Sequence, residues 1–404
     1  MIRCVCLAAI LLAALCAVLP ALASDGVPEA IRPGNNALAA RGFNELYNMD
    51  YGPAIRDFSR LQAEFPNDPF PSNYLLAAEI FQELNRIGAL NTEIYFNNSF
   101  LDSKPKRPPD PAARQRIYDL IARVEAQSNA RLAANPRDTD ALYARGVALG
   151  FRAMYMGMAE KSWLAAIRAA LASRRDHERV LAIDPGYVDA KMTVGIHNYI
   201  VGSLNWAGRA AVAMVGVTGS RQKGLDYLRE VSRSHGTSSV DAALALSLFL
   251  GREQRYQEAL ELVRHFSQEY PRNFILAFEY AHLLNNAGHG REAIAQYRQI
   301  LQKAKEGKFS TTQPEIAAWG LGVSLRGQHE FAQAAEAFDL VTTSGNVDPV
   351  LVDRATVAAG EMYDTLGRRD LAVARYRQAL VSGRDNDYTS AARKHLRHAY
   401  SFTE

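Results

Sequence analysis

The stretch Gly42 … Tyr51-Gly52-Pro53-Ala54-Ile55-Arg56-Asp57-Phe58 … Phe65-Pro66 decides how the rest of the chain is read. Gly52-Pro53 is turn chemistry with proline at a first helical position, where the missing N–H removes no bond the helix would use. Ala54, Ile55, Phe58, Leu61 and Phe65 then follow at the steps of one apolar helical stripe. Pro66 closes the unit. So short a helix cannot shield its apolar face alone, and it predicts neighbours built to the same plan.

Those neighbours recur downstream. Tyr256, Ala259, Val263, Phe266 and Pro271 repeat the pattern, as do Ala293, Tyr297 and Ile300, then Gly322, Phe331, Ala334 and Phe338, then Gly360, Tyr363, Ala372, Tyr376 and Ala379. The small alanines step by 34 residues (259 to 293), 41 (293 to 334) and 38 (334 to 372). From Ala54 to Ala259 is 205 residues, close to six periods of 34. The two longer steps imply insertions, most visibly Lys305 to Gln313.

In these residues the chain resembles the tetratricopeptide repeat family, whose unit is a pair of antiparallel helices, A and B. Gly42, Ala54, Phe58 and Pro66 match its pattern, and so do Gly360, Tyr363, Ala372, Tyr376 and Ala379. The resemblance covers about Asn35 to Pro66 and Ser239 to Leu380. It implies an all-α, right-handed solenoid of helical hairpins. Asn135-Pro136 and Asp184-Pro185 read as further repeat ends whose A helices match less well. The expected organisation is a leader over 1–23, N-terminal repeat-like helices over 24–136 with a proline-rich loop at 98–111, a divergent central region over 137–238, and a C-terminal array over 239–404.

The central region carries two readings. Between Tyr187 and Gly219 the chain is small and apolar, punctuated by Gly195, Gly202, Gly208, Gly216 and Gly219. A buried helix pair crossing closely at glycine is favoured over a membrane-contacting or partner-docking segment, because Asn198, Asn205 and Arg209 interrupt any bilayer span. The run from Gly195-Ile196-His197-Asn198 to Gly224-Leu225-Asp226-Tyr227-Leu228 also resembles, locally over about 190–265, a eukaryotic repeat family linked to inclusion-body clearance and the mitochondrial outer membrane.

The first residues bear on compartment. Arg3, the apolar run Val5 to Leu19, the helix breaker Pro20 and the small-x-small Ala21-Leu22-Ala23 have the order of a secretory leader cut after Ala23. A retained anchor and a lipid-modified Cys16 are the lesser readings. Export to the periplasm or beyond is therefore expected. All three cysteines (Cys4, Cys6 and Cys16) fall in the leader, so the mature chain would carry no disulfide, thiolate metal site or cysteine nucleophile.

A net charge of +3 over 404 residues, with both signs dispersed, offers no field for nucleic acid. The nine histidines show no His-Glu-x-x-His spacing, and neither Gly-x-Ser-x-Gly nor a phosphate-cradling glycine loop occurs. His395 and His398 read as the solvated face of a basic terminal helix. The chain is thus read as a non-enzyme that needs no metal or cofactor.

The family resemblance implies that positions 2, 5, 9 and 12 of each A helix line a groove. Registered on Ala293 these are Ile275, Phe278, His282 and Asn285; registered on Ala334 they are Ile316, Trp319, Val323 and Arg326. Phe278, His282, Asn285, Trp319 and Arg326 are the candidate contacts for a protein or peptide partner, against the alternative that Phe278 and Trp319 only pack between repeats. A second class of function is a component holding a small apolar ligand beside a transporter.

Overall fold

A computed structural model describes residues 30–90, 105, 107–213, 218–234, 236–343 and 347–402. The leader with its cysteines, and most of the loop at 98–111, lie outside the described residues. The described chain is helical with no strand. It divides into two compact units, Met1–Glu253 and Gln254–Glu404, so the division falls within the array expected over 239–404.

The first unit holds α1 (Ala37–Tyr47), α2 (Tyr51–Glu64), α3 (Pro69–Arg86), α4 (Pro111–Ala134), α5 (Thr139–Met158), α6 (Trp163–Ile183), α7 (Ala190–Gly202), α8 (Trp206–Ala213), α9 (Arg221–Arg233) and α10 (Ser239–Arg252). The second holds α11 (Tyr256–Glu269), α12 (Phe274–Asn286), α13 (Gly290–Lys305), α14 (Pro314–Gly327), α15 (Phe331–Thr343), α16 (Pro349–Thr365), α17 (Arg369–Val381) and α18 (Asp387–Arg397). Within each unit, α8 apart, successive helices pack as antiparallel hairpins on one another, and α18 closes against α16 and α17. Each unit is a tetratricopeptide-like helical solenoid.

The two ends of a hairpin are made differently. Most A helices start from a side-chain cap: Asn36, Asp68, Asp138, Asn273 and Asp348 each accept from backbone N–H groups of the first turn. The B helices α2, α6, α11, α13 and α17 have no such cap. They start two residues after a residue of positive φ: Met49, Lys161, Gln254, Gly288 and Gly367, with His329 before α15. In four of these turns the following N–H reaches back five residues, as Asp50 to Glu45, His289 to Leu284, Glu330 to Leu325 and Arg368 to Tyr363. That is the Schellman closure of helix A, and the residue making the bond is also the cap position of helix B. The chain therefore reverses with almost no loop.

Glycine lets A and B cross closely. A Cβ at Gly42 would lie 2.4 Å from the Phe58 ring, and one at Gly322 would lie 2.4 Å from Phe338. Both rings are fully buried, as is Tyr376, which stands in the same relation to Gly360. The spacing that suggested the repeats thus reports a physical contact.

The central stretch is buried in one part and exposed in another. α7 and α9 cross on backbone: a Cβ at Gly224 would meet the Tyr199 nitrogen at 2.6 Å and the Gly195 oxygen at 2.7 Å. This is the buried, glycine-crossed pair. Between them α8 stands exposed, with Trp206 at 78% of its full accessibility. The segment expected between Lys305 and Gln313 is a connection outside the helices, pinned by Phe309 against Phe274.

Candidate functional site

The A-helix faces of the two units are used differently. In the first unit they are filled by the protein itself. Phe70, Asn73, Ala77 and Ile80, the groove-type positions of α3, are all buried, and Asn73 donates to the Ala144 carbonyl on α5. The segment before α1 lies along the starts of the A helices. Ile31 N–H donates to Asp68 at 3.1 Å, and the Tyr74 hydroxyl donates to the Ile31 carbonyl at 2.6 Å. Arg32 donates to Asp140 (2.6 Å) and to the Tyr187 hydroxyl (2.7 Å), with its guanidinium over the rings of Phe70 and Tyr187.

The polar cluster continues inward. Tyr47, at the end of α1, donates to the Thr237 carbonyl and to Asp241, so the first and last helices of the unit are tied together. Asp189 accepts from the Thr237 hydroxyl and Ser238 N–H. Burial pushes the Asp241 carboxyl up to about 6, partly offset by the Tyr47 hydroxyl and reinforced by the charge of Asp189.

In the second unit Phe278, Ile316 and Trp319 are buried as well, but the C-terminal ends of the A helices open on a cleft. A cleft of about 530 Å³ is lined by Asn285, Ser324, Arg326 and Gln328, with Tyr400 and Phe402 of the C-terminal segment beside them. Asn285 ends α12 and Arg326 ends α14, so successive A helices supply the amide and the guanidinium. The C-terminal segment is placed by Asp364, which accepts from Tyr400 N–H at 2.8 Å, from the Tyr376 hydroxyl at 2.9 Å and from Arg369. Phe402 then packs on His329 and Phe331, with ring centroids 5.4 and 5.1 Å apart.

Charge is held close to this cleft. Burial raises the Glu361 carboxyl to about 7, with Arg326 opposing and Asp364 adding to the shift. His395 approaches Glu361 at 3.5 Å and packs on Tyr376 and Tyr400, and burial lowers its pKa. Its side chain is 12% exposed, which corrects the expectation of a solvated face at His395, whereas His398 is exposed. The Tyr376 and Tyr400 rings cover it.

Of the five predicted groove residues, Asn285 and Arg326 meet in the cleft. Phe278 and Trp319 do not reach it as free contacts. Phe278 is 2% exposed and packs on Tyr297 across its hairpin; Trp319 is 6% exposed, packed on Phe338 and covered by Arg354 at 4.0 Å. These two are corrected to core residues, because each ring fills the contact to the following B helix. His282 is mostly buried, its Nε2 accepts from the Asn286 amide at 3.2 Å, and burial lowers its pKa to about 4. Sequence periodicity gave no sign of Glu361 or Asp364, polar positions of α16 outside the small and aromatic pattern, nor of Tyr400 and Phe402, whose segment belongs to no repeat.

Residues 191–346 match the family model described as Iml2/Tetratricopeptide repeat protein 39. The chain carries tetratricopeptide repeats. The local likeness over 190–265 falls on this matched stretch. No curated protein matches the chain. Among solved structures it is similar to yeast Tom70 (10% identity, 91% of this chain and 88% of that one, TM-score 0.40). It is also similar to a tetratricopeptide repeat protein from Parabacteroides merdae (13% identity, 80% and 97%, TM-score 0.32). Human IFIT1, as a dimer with m7Gppp-AAAA, is similar at 11% identity over 90% and 87% (TM-score 0.43). Such remote likeness transfers no ligand to this chain.

Proposed function

We propose that the protein is a non-enzymatic interaction scaffold, exported through its leader, that holds an extended segment of a protein or peptide partner in the cleft of its second unit. The observation that supports this reading is the convergence of Asn285 and Arg326, from successive A helices, on an open cleft. A side-chain amide pairs with both the N–H and the C=O of an extended backbone, and a half-buried guanidinium at a cleft is a frequent energetic anchor at interfaces. The neighbouring Tyr400 and Phe402 give flat apolar surface to a partner side chain. The amide, hydroxyl and guanidinium lining offers a small apolar ligand little to bury against, so the transporter-linked reading is set aside.

Peptides selected on the full-length mature chain test this. Bound sequences are expected to lose about tenfold in affinity with Arg326→Ala and severalfold with Asn285→Ala, since each removes an anchor at the cleft. Exposed Arg264 on α11 serves as a control, and equal affinities for Arg326→Ala, Asn285→Ala and Arg264→Ala would refute the assignment. Export is tested separately: the envelope form should begin at Ser24 by mass, and a chain retaining residues 1–23 would contradict cleavage.

A further inference from the structure

One end of the first unit combines three features that the repeat architecture does not require. The first is an exposed short helix. Along α8, Trp206, Ala210 and Ala213 share one face, flanked by Ala207 and Arg209, and all five are exposed. The second is further apolar surface at the same end. Ile200, in the last turn of α7, is 38% exposed, and Leu164, in the first turn of α6, is 64% exposed. Because α6 and α7 pack as consecutive antiparallel helices, the start of the longer α6 and the end of α7 point toward the same end of the unit.

The third is charge of one sign. From Ala190 to Leu225 the chain contains no aspartate or glutamate, while Lys191, Arg209, Arg221 and Lys223 all fall there. Arg221 is paired with Glu253 at 3.1 Å and Lys191 with Glu230. Among the described residues, Arg209 and Lys223 have no carboxylate partner: Arg209 donates to the Leu204 carbonyl, and Lys223 lies over the Tyr227 ring. Of the carboxylates at this end, Glu253 is taken by Arg221 and Glu160 by Arg114. What remains unneutralised is cationic.

We propose that this end of the first unit docks on an anionic lipid surface, with Trp206 seated at the headgroup level and Arg209 and Lys223 facing lipid phosphate. No described helix is long and apolar enough to cross a membrane, and α8 is far short of the twenty or so residues a span needs. A short helix with an apolar face and cationic flanks instead lies in the interface. Tryptophan prefers that depth, and lysine and arginine are drawn to anionic headgroups. A face of alanines around a single indole offers a protein partner little shape to grip, whereas a bilayer conforms to it.

The mature full-length chain is mixed with vesicles of phosphatidylcholine containing about one part in four phosphatidylglycerol, a surface negative enough to attract cationic side chains. Co-sedimentation measures partitioning, and brominated lipid measures quenching of Trp206, assigned by difference from Trp206→Phe. The wild-type chain should bind and Trp206 should be quenched. Trp206→Ala and the double variant Arg209→Glu/Lys223→Glu should each weaken partitioning about tenfold, as should about 0.5 M NaCl, which shortens screening to a few Å. These residues are exposed, so helical dichroism should be unchanged and confirms that the variants fold. Absence of vesicle binding, unquenched Trp206 in a bound sample, or equal binding to neutral vesicles would each overturn the proposal. Capture of a protein through this face without vesicle binding would do the same.

Discussion

The two units use one repeat grammar and differ in what covers the A-helix faces. In the first, Arg32, Tyr74, Asp140, Tyr143 and Tyr187 occupy the space a ligand would need. In the second, Asn285 and Arg326 face an open cleft. A tetratricopeptide scaffold is therefore not automatically a binding groove along its whole length. The same face can be spent on holding the protein together, and side-chain burial distinguishes the two uses.

The largest expected effect tests that difference directly. Arg32→Ala takes the cationic partner from the Asp140 carboxylate, which keeps the Tyr187 hydroxyl as a donor, and removes the donor to that hydroxyl. Breaking a partly buried pair of this kind should destabilise the first unit by about 2–3 kcal/mol. Arg326→Ala, at an open cleft, should change the second unit by less than about 0.5 kcal/mol. Hydrogen exchange followed peptide by peptide reads the units separately. Equal losses in the two would mean that the cleft is as structural as the filled face.

Next comes a change expected to act equally in both units. Gly42→Ala and Gly322→Ala each place a methyl against a fully buried phenylalanine, a forced overpacking that should cost about 1–3 kcal/mol. Chemical denaturation of each variant checks the magnitude. A large cost in one unit only would show that the shared grammar conceals different packing.

Those glycines also explain how much of the fold was legible. Gly42 with Phe58, and Gly322 with Phe338, are steric necessities, so the residue types had to appear at fixed spacing and periodicity found them. The central repeats were harder because α4 and α6 run 24 and 21 residues, against 14 for α2 and α11, which stretches the period without altering the packing. The groove was half legible. Register placed Asn285 and Arg326 on positions that line one cleft, yet a pattern that assigns positions to a face cannot say whether a neighbour such as Arg354 covers it. The tail residues Tyr400 and Phe402 left no periodic trace, because one aspartate, Asp364, holds the segment in place.

The filled face of the first unit also carries a pH signature. Asp241 ionises near 6 in the folded protein and near 3.8 when exposed in the unfolded chain. With the folded value raised, the native state holds the proton more tightly. Its stabilising contribution is complete below about pH 4 and is lost as pH rises through about 6. After allowance for its partial exposure and the Tyr47 bond, the loss should be about 1–2 kcal/mol. Asp241→Asn should flatten the dependence over that window, measured by exchange protection of α10. An unchanged slope would assign the titration to another group, Asp189 being the nearest carboxylate acting on this site.

The smallest effect concerns the hairpin turns. Between A and B helices the described positive-φ residues are Met49, Gly88 and Lys161 in the first unit, and Gly288 and Gly367 beside Gln254 and His329 in the second, so both units mix glycine with residues that carry a side chain. A left-handed conformation costs a side-chain-bearing residue about 1–2 kcal/mol, and glycine recovers most of that at an entropic cost of about 0.5–1. Gln254 is exposed, so replacing it removes no packing. Gln254→Gly should therefore stabilise the hairpin start by about 0.5–1 kcal/mol, and Gly288→Ala should cost about the same. Thermal unfolding of the two variants reads opposite shifts if the left-handed turn is an obligatory part of the repeat. Two shifts of the same sign would mean that these reversals owe their shape to helix packing and that turn chemistry only follows it.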